Sequence, residues 1–123
     1  MTSPVPDLWP TEIRLSPDKR QLTVAFDDGS CYRFTAEFLR VTSPSAEVQG
    51  HAPAQRQTVP GKLDVAIRSI DPVGNYAVRL NFDDGHHTGL FSWKYLAELG
   101  REHDALWARY LAEIAEKGLS RAR

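Results

Sequence analysis

The densest group of side chains that could carry out chemistry is formed by Asp83, Asp84, His86 and His87. Two imidazoles beside two carboxylates are donors that can bind a divalent metal. On a strand, however, neighbouring histidines point to opposite faces, and aspartates before a glycine such as Gly85 are ordinary turn residues. A metal site would therefore include only one of the two histidines, and a turn is the stronger interpretation of the cluster.

Two other groups could act in catalysis. Asp27 and Asp28 precede Gly29 in the same way, and two such pairs of carboxylates could exchange protons if the turns met in an enclosed site. Carboxylates in exposed turns rarely meet that condition. Cys31 could be a nucleophile only beside a base in an electropositive pocket, whereas a lone cysteine on a strand is more often a small buried apolar residue. We therefore predict no self-sufficient catalytic site and a buried Cys31.

A tetrapeptide that occurs twice indicates how these residues are positioned. Phe-Asp-Asp-Gly stands at 26–29 and again at 82–85, and Asp-Gly between alternating apolar runs predicts a hairpin turn. Each copy is followed by a short strand and by a hydroxyl residue, Thr35 or Ser92, that can cap a helix. We predict two copies of a strand-turn-strand-helix unit, an internal repeat, in an α+β fold with a small mixed or antiparallel sheet.

The length of the chain, 123 residues, suits one domain. Its prolines predict an extended arm over 1–9, and the two units occupy 10–100, with Gly100 ending the second helix. The stretch 42–62 is rich in Ser, Pro, Gln and Ala, which predicts a mobile surface loop that adds little to the core. A C-terminal helix over 101–118 and a frayed tail over 119–123 complete the chain.

The C-terminal helix carries an apolar stripe that includes Trp107, Leu111 and Ile114. If these side chains exceed what the small sheet can cover, they would form an apolar patch on the surface. Such a patch suits a homodimer or a protein partner.

Composition narrows the classes of partner. The formal net charge is −1 with both signs mixed along the chain, so no broad field would attract nucleic acid or an anionic membrane. Long apolar runs and a secretion signal are absent from the sequence, and its single cysteine suits a reducing compartment. We therefore expect a cytoplasmic protein that contacts neither nucleic acid nor membrane.

Three spaced motifs carry a resemblance to a known family. They are Leu-Arg-Val-Thr-Ser-Pro-Ser-Ala-Glu at 39–47, Asp-Pro-Val-Gly-Asn-Tyr-Ala-Val at 71–78 and Phe-Asp-Asp-Gly-His-His-Thr-Gly-Leu-Phe-Ser-Trp at 82–93. Over about residues 10–100 the chain resembles the DUF971 proteins, the stand-alone form of the gamma-butyrobetaine hydroxylase-like N-terminal domain. In the hydroxylases this domain precedes a separate 2-oxoglutarate and iron-dependent catalytic domain, which is absent from this sequence.

The resemblance also implies a metal site. In those hydroxylases the domain holds zinc through three cysteines after the Leu-Arg step and one later histidine. The three cysteine positions fall on Ser43, Ser45 and Val48, and only His86 matches a ligand. Since a structural zinc needs thiolate or imidazole donors, we expect no zinc cofactor here despite the family pattern.

Two functions remain open. The family's fusions to Mrp-type P-loop ATPases that carry iron-sulfur clusters imply a non-enzymatic accessory or protein-interaction module, linked to iron-sulfur or metalloprotein maintenance through such an ATPase or an iron-sulfur protein. The alternative is a small-ligand or metal-binding domain that works through His86 beside a 2-oxoglutarate and iron hydroxylase-type enzyme.

Overall fold

Strands and helices alternate in two similar runs along the chain. The computed structural model describes residues 8–50 and 56–122. Within these residues the elements are β1 (Pro10–Leu15), β2 (Gln21–Phe26), β3 (Cys31–Thr35), α1 (Ala36–Val41), α2 (Ala46–Gln49), β4 (Ile67–Val73), β5 (Ala77–Phe82), β6 (Leu90–Ser92), α3 (Trp93–Arg101) and α4 (His103–Glu116). The α+β fold is confirmed, and the predicted arm lies outside the described residues except for Leu8 and Trp9.

The strands form two antiparallel three-stranded sheets, β1-β2-β3 and β4-β5-β6. Each sheet has its register shift at the same place, near the start of its first strand, between Pro10 and Glu12 and between Ile67 and Ser69. Strand β6 has three residues, whereas the corresponding strand β3 has five, so the second sheet is the smaller of the two. The shared topology and the shared bulge confirm the predicted internal repeat.

The twin turns use their aspartates in the same way. The first aspartate accepts the backbone N–H of the residue that precedes the first strand of its sheet: Trp9 donates to Asp27 at 3.3 Å, and Ala66 donates to Asp83 at 3.1 Å. Those N–H groups lie where a new strand enters the sheet and have no ladder partner of their own. These two carboxylates therefore fix the chain entry into each sheet, which is a structural role.

The core lies between the sheets and the helices that follow them. Buried side chains of β2, β5, α1 and α3 belong to one core cluster, and the largest fully buried side chains are Phe34, Phe38, Phe91, Leu22, Leu39, Ile67, Leu80 and Leu96. Both helices begin at the predicted caps, because Thr35 accepts the Phe38 N–H and Ser92 accepts the Tyr95 N–H, each at 3.0 Å. The two caps turn each chain segment sharply from strand into helix.

Gly100 does not end the second helix as predicted. Helix α3 continues through it to Arg101. A Cβ at position 100 would lie 2.3 Å from the Tyr32 ring, so the glycine allows α3 to approach β3 closely. The prediction was wrong because close approach, and not a left-handed φ, requires the glycine.

The prediction of a buried Cys31 is also wrong. The thiol is free and exposed. Antiparallel pairing sets Cys31 opposite Ala25 and Phe34 opposite Leu22, which turns Phe34 to the core and Cys31 to the other face of β3. Residue type favoured burial, but strand register decides the face.

The stretch 42–62 contributes to the core, contrary to the prediction, although its predicted mobility stays untested. It contains α2, and Ser43, Ser45 and Val48 are all buried. The two serines can be buried because each has hydrogen-bond partners within the protein. Residues 51–55 of this stretch lie outside the described residues.

The predicted frayed tail docks on the rest of the chain over residues 119–122. Gly118, with a φ of 65°, ends α4 as predicted, and the Leu119 N–H donates to the Ile114 carbonyl at 2.9 Å. The backbone N–H groups of Gly61 and Leu63 then donate to the carbonyls of Ser120 and Arg121. The prediction failed because these contacts join residues far apart in the sequence.

Candidate functional site

The positions that the family resemblance marks as metal ligands come together around one buried imidazole. His86 is 6 % exposed, and its Nε2 lies 2.9 Å from Ser43 Oγ. The Ser45 N–H donates to the same Ser43 oxygen at 3.3 Å. Val48 is buried on α2. Ser43 and His86 are therefore in direct contact, and Ser45 joins them through the Ser43 hydroxyl.

A residue that the sequence analysis missed completes the network. Glu47 Oε2 lies 3.0 Å from His86 Nδ1. An ionised carboxylate can only accept, so Nδ1 carries the proton of the neutral ring, Nε2 accepts, and the Ser43 hydroxyl donates. The signal was present in the sequence, since Glu47 stands in the first turn of a helix that Ser45 caps.

Local structure fixes each member of the network. Ser45 Oγ caps α2 by accepting the Glu47 N–H at 3.2 Å, and it also hydrogen-bonds to Thr88 Oγ1 at 2.7 Å. The His86 N–H donates to Asp84 at 3.0 Å. The cap on α2 and the turn after β5 thus hold the two halves of the network together, and each half is set by its own short-range contacts.

The order Ser43 Oγ, His86, Glu47 matches the hydrogen-bond order of a serine hydrolase triad. Access differs, because Ser43 has no exposed surface. A Cβ on Gly89 would lie 2.3 Å from Ser43 Oγ, so the backbone covers the hydroxyl directly. A substrate carbonyl cannot reach this oxygen in the folded chain, and the network acts as a structural connector.

A group of charges lies beside the imidazole. Asp84 accepts from Arg40 Nε at 2.8 Å and pairs with Lys62 Nζ at 2.6 Å. Burial pulls the pKa of Asp84 upward, but the hydrogen bonds from Lys62, the His86 N–H and Arg40 together lower this pKa to about 2. The carboxylate is therefore an anion at neutral pH and neutralises part of the two cations.

The same surroundings keep His86 neutral. Burial is the largest cause that lowers its pKa, and the Arg40 charge adds to it, while Glu47 and Asp84 oppose both. In the neutral ring that the lowered pKa favours, Nδ1 donates to Glu47 and Nε2 accepts from Ser43. One nitrogen nearby, Arg40 Nη1, is buried with no hydrogen-bond partner within the described chain.

The residues present do not fit a zinc ion. Of the four positions only His86 supplies a donor that zinc prefers, because Ser43 and Ser45 offer neutral hydroxyls and Val48 offers none. Over residues 8–50 and 56–122, no group of three or more His, Cys, Asp or Glu side chains could hold a metal ion. The second candidate ligand, His87, contacts the Gly85 carbonyl instead.

The predicted interaction surface on the C-terminal helix is largely packed inside the chain. Ile114 is 7 % exposed, and Trp107 packs against Phe38 and Tyr110. Leu111 alone of the three predicted residues is exposed, at 36 %. The condition for an apolar patch is not met here, because the end of α1 and the residues before β4 provide more cover than the sheet alone.

A cavity of about 60 Å³ lies between α1, α3 and α4, beside Thr42 and Tyr95. Small-molecule sites usually enclose about 300 to 1,000 Å³. Its polar walls are largely engaged, because the Tyr95 hydroxyl donates to the Thr42 carbonyl and Arg56 pairs with Glu113. A space of this size suits ordered water more than a substrate.

Comparisons with known proteins agree with this architecture. The family model described as gamma-butyrobetaine hydroxylase-like, N-terminal, matches residues 13–97. The curated proteins include none that matches the chain. Within the described residues, no helix is both long and apolar enough to cross a membrane.

Solved structures resemble the chain over most of its length. One NMR solution structure is 48 % identical with a TM-score of 0.80, covering 94 % of this chain and 90 % of its own. A second NMR structure is 45 % identical with a TM-score of 0.82, covering 99 % and 91 %. A crystal structure of a DUF971 family protein of unknown function from Acidithiobacillus ferrooxidans is 43 % identical with a TM-score of 0.62, covering 74 % and 91 %.

Proposed function

Because the chain belongs to the gamma-butyrobetaine hydroxylase-like N-terminal family, known also as DUF971, we propose that it is a non-enzymatic accessory module that acts by binding a protein partner. The partner we propose is a Mrp-type P-loop ATPase or an iron-sulfur protein, as the family's fusions imply. Its task would be the maintenance of iron-sulfur or other metalloproteins.

One observation carries this proposal. The positions that the family resemblance marks as metal ligands are joined here by hydrogen bonds, in which Ser43 has no exposed surface and His86 is buried, while the Glu47 side chain is 65 % exposed. The network stabilises the fold and keeps the Ser43 hydroxyl and the His86 ring away from solvent, with the Glu47 carboxylate at its exposed end. A domain whose hydroxyl and imidazole groups are covered in this way can act through its surface.

A cytoplasmic location fits the same proposal. The free thiol of Cys31 is exposed on β3, where an oxidising compartment would leave it open to intermolecular disulfides. The near-neutral net charge of −1 favours binding by shape and local contacts over long-range attraction.

Isothermal titration calorimetry with the purified chain tests the proposal directly. The titrant is the Mrp-type ATPase of the same organism, with its cluster loaded and, separately, with its cluster removed. We expect a Kd on the order of micromolar, typical of transient partners, and a difference between the two forms of the ATPase. An Asp28→Asn variant, altered in an exposed turn, is the matched control and should bind like the wild type.

Absence of binding to both forms of the ATPase at about 100 μM, together with absence of binding to iron-sulfur scaffold proteins of that organism, would contradict the proposal. Turnover of any substrate by the isolated chain that is lost in a His86→Gln variant would contradict its non-enzymatic part.

A further inference from the structure

The docked segment 119–122 occupies a groove with the features of a peptide-binding site. Arg121 donates from Nε and Nη2 to the two carboxylate oxygens of Glu37, at 2.8 Å each. Its guanidinium also lies 5.2 Å from the centre of the Trp107 ring. A guanidinium can donate two parallel hydrogen bonds to one carboxylate and also lie against an aromatic ring. Because an ammonium group lacks this planar geometry, the arrangement selects arginine over lysine.

The backbone beside this arginine is held as a bound peptide would be. The N–H groups of Gly61 and Leu63 donate to the carbonyls of Ser120 and Arg121 at 2.9 and 3.0 Å. Hydrogen bonds from a protein backbone to a bound segment fix its position without reading side chains, while a side-chain pocket supplies specificity. The groove is therefore defined by Glu37, Trp107, Gly61 and Leu63.

The groove needs an arginine for electrostatic reasons. The Glu37 side chain is 6 % exposed, and Arg121 is its only ion-pair partner in the part of the chain that the structure describes. Removing the cation that pairs with a buried carboxylate strongly destabilises the fold. A second guanidinium is the group best suited to replace the first.

The occupying segment can be exchanged without leaving Glu37 unpaired when the guanidinium of an incoming segment takes the place of Arg121. It follows Gly118, whose left-handed φ of 65° ends α4, and Leu119 remains 38 % exposed. The Arg121 side chain that pairs with Glu37 is itself 36 % exposed, and short segments of this kind open locally below the free energy of global unfolding. The groove can therefore exchange its occupant while the core stays folded.

We propose that this groove binds a short, arginine-containing segment of a protein partner in competition with Arg121 of the same chain. This inference rests on the proposed function and names the surface through which it works. Residues 119–122 then act as an internal competitor that closes the groove until a partner with a better-fitting segment displaces them.

Fluorescence anisotropy tests the proposal with a labelled hexapeptide of residues 117–122, capped at both ends. The protein is the full chain carrying Arg121→Ala, which removes the internal competitor but keeps the backbone. We expect this variant to bind the peptide at least about tenfold more tightly than the wild type does. The same peptide with lysine in place of its arginine should bind at least about tenfold more weakly.

Two variants serve as controls. Arg109→Ala removes an exposed arginine of α4 outside the groove and should bind the peptide as the wild type does. The double variant Glu37→Gln/Arg121→Ala removes both charges together, so it leaves no buried unpaired carboxylate, and it should lose binding. Equal binding by Arg121→Ala and the double variant, or no gain over wild type in Arg121→Ala, would overturn the proposal.

A second measurement applies if Arg121→Ala does not fold. The wild-type chain is titrated with millimolar peptide, and the Trp107 indole N–H is followed by ¹H–¹⁵N NMR. A saturable shift supports the groove, and its absence overturns it. A dimer whose population rises with concentration and vanishes in Arg121→Ala would show that a second copy is the occupant, which also overturns a distinct partner.

The outcomes separate this inference from the proposed function. If the ATPase binds the wild type and Glu37→Gln/Arg121→Ala equally, the groove is wrong while the function stands. If the peptide binds as expected but neither the ATPase nor the iron-sulfur proteins bind, the groove stands and the partner assignment fails.

Discussion

Replacing Ser43 with alanine probes the hydrogen-bonded network at its centre. The Ser43 hydroxyl has no exposed surface, donates to His86 Nε2 at 2.9 Å and accepts the Ser45 N–H at 3.3 Å. Ser43→Ala leaves both of those groups buried without a partner, because the close backbone of Gly89 restricts entry of a replacement water. The substitution therefore removes a connector without leaving space for solvent.

The expected loss of stability follows from the two groups left unpaired, His86 Nε2 and the Ser45 N–H. Each buried polar group without a partner costs about 1 to 3 kcal/mol, and the longer of the two bonds belongs at the low end. We expect Ser43→Ala to lower the free energy of unfolding by about 2 to 4 kcal/mol. For a chain of this size that corresponds to a fall in Tm of roughly 8 to 15 °C.

Urea denaturation followed by circular dichroism measures the change. Ser69→Ala is the matched control, because Ser69 is exposed and accepts one hydrogen bond, from Asn81. It should change stability by less than about 0.5 kcal/mol. A loss below about 1 kcal/mol in Ser43→Ala, with an unchanged m-value, would refute the view that this hydroxyl joins the two halves of the site.

Three further predictions concern the same framework. Burial lowers the pKa of His86 in the folded chain. The stabilisation by the neutral His86 ring is therefore complete above the unfolded pKa of about 6.5 and is lost as the pH falls through the lower folded pKa. The urea midpoints at pH 7.5 and pH 5 should differ more in the wild type than in His86→Gln. Asp84→Asn should lower the free energy of unfolding by about 1 to 3 kcal/mol, because Arg40 and Lys62 lose the anion that they share. Its Tm should fall more than that of Asp28→Asn at the equivalent turn, and equal falls in Tm would contradict this prediction. Gly100→Ala should destabilise the folded chain by about 2 kcal/mol, although alanine favours a helix over glycine by about 1 kcal/mol. The cause is the new Cβ, which would lie 2.3 Å from the Tyr32 ring. A variant with a raised Tm in thermal denaturation would disprove this close approach.

The repeat and its caps could be predicted from sequence because their causes are local. The Asp-Gly turns and the caps at Thr35 and Ser92 depend on residues two or three positions apart. The aligned motifs also marked Ser43 and His86 as one place in the fold, and the structure brings their side chains into contact.

The remaining features depend on long-range contacts that composition cannot reveal. Ser43 and Ser45 looked like solvated loop residues, yet their partners lie 43 positions away. Arg121 looked like part of a frayed end, although its partner Glu37 lies 84 positions earlier. Only the folded chain shows that Ser43, Ser45 and Glu37 are buried and that Arg121 pairs with the last of them.

The polar centre around Ser43 and His86 holds the fold through hydrogen bonds, and we predict that it does so without a metal. Elemental analysis of the untagged chain, combined with its thermal unfolding before and after dialysis against a chelator, tests this claim directly. We predict less than about 0.1 equivalent of zinc or iron per chain and an unchanged Tm after chelation, because the donors at Ser43, Ser45 and His86 do not suit a structural metal. Near-stoichiometric metal, with a Tm that falls on chelation and recovers when the metal is restored, would contradict a polar centre that is held by hydrogen bonds alone.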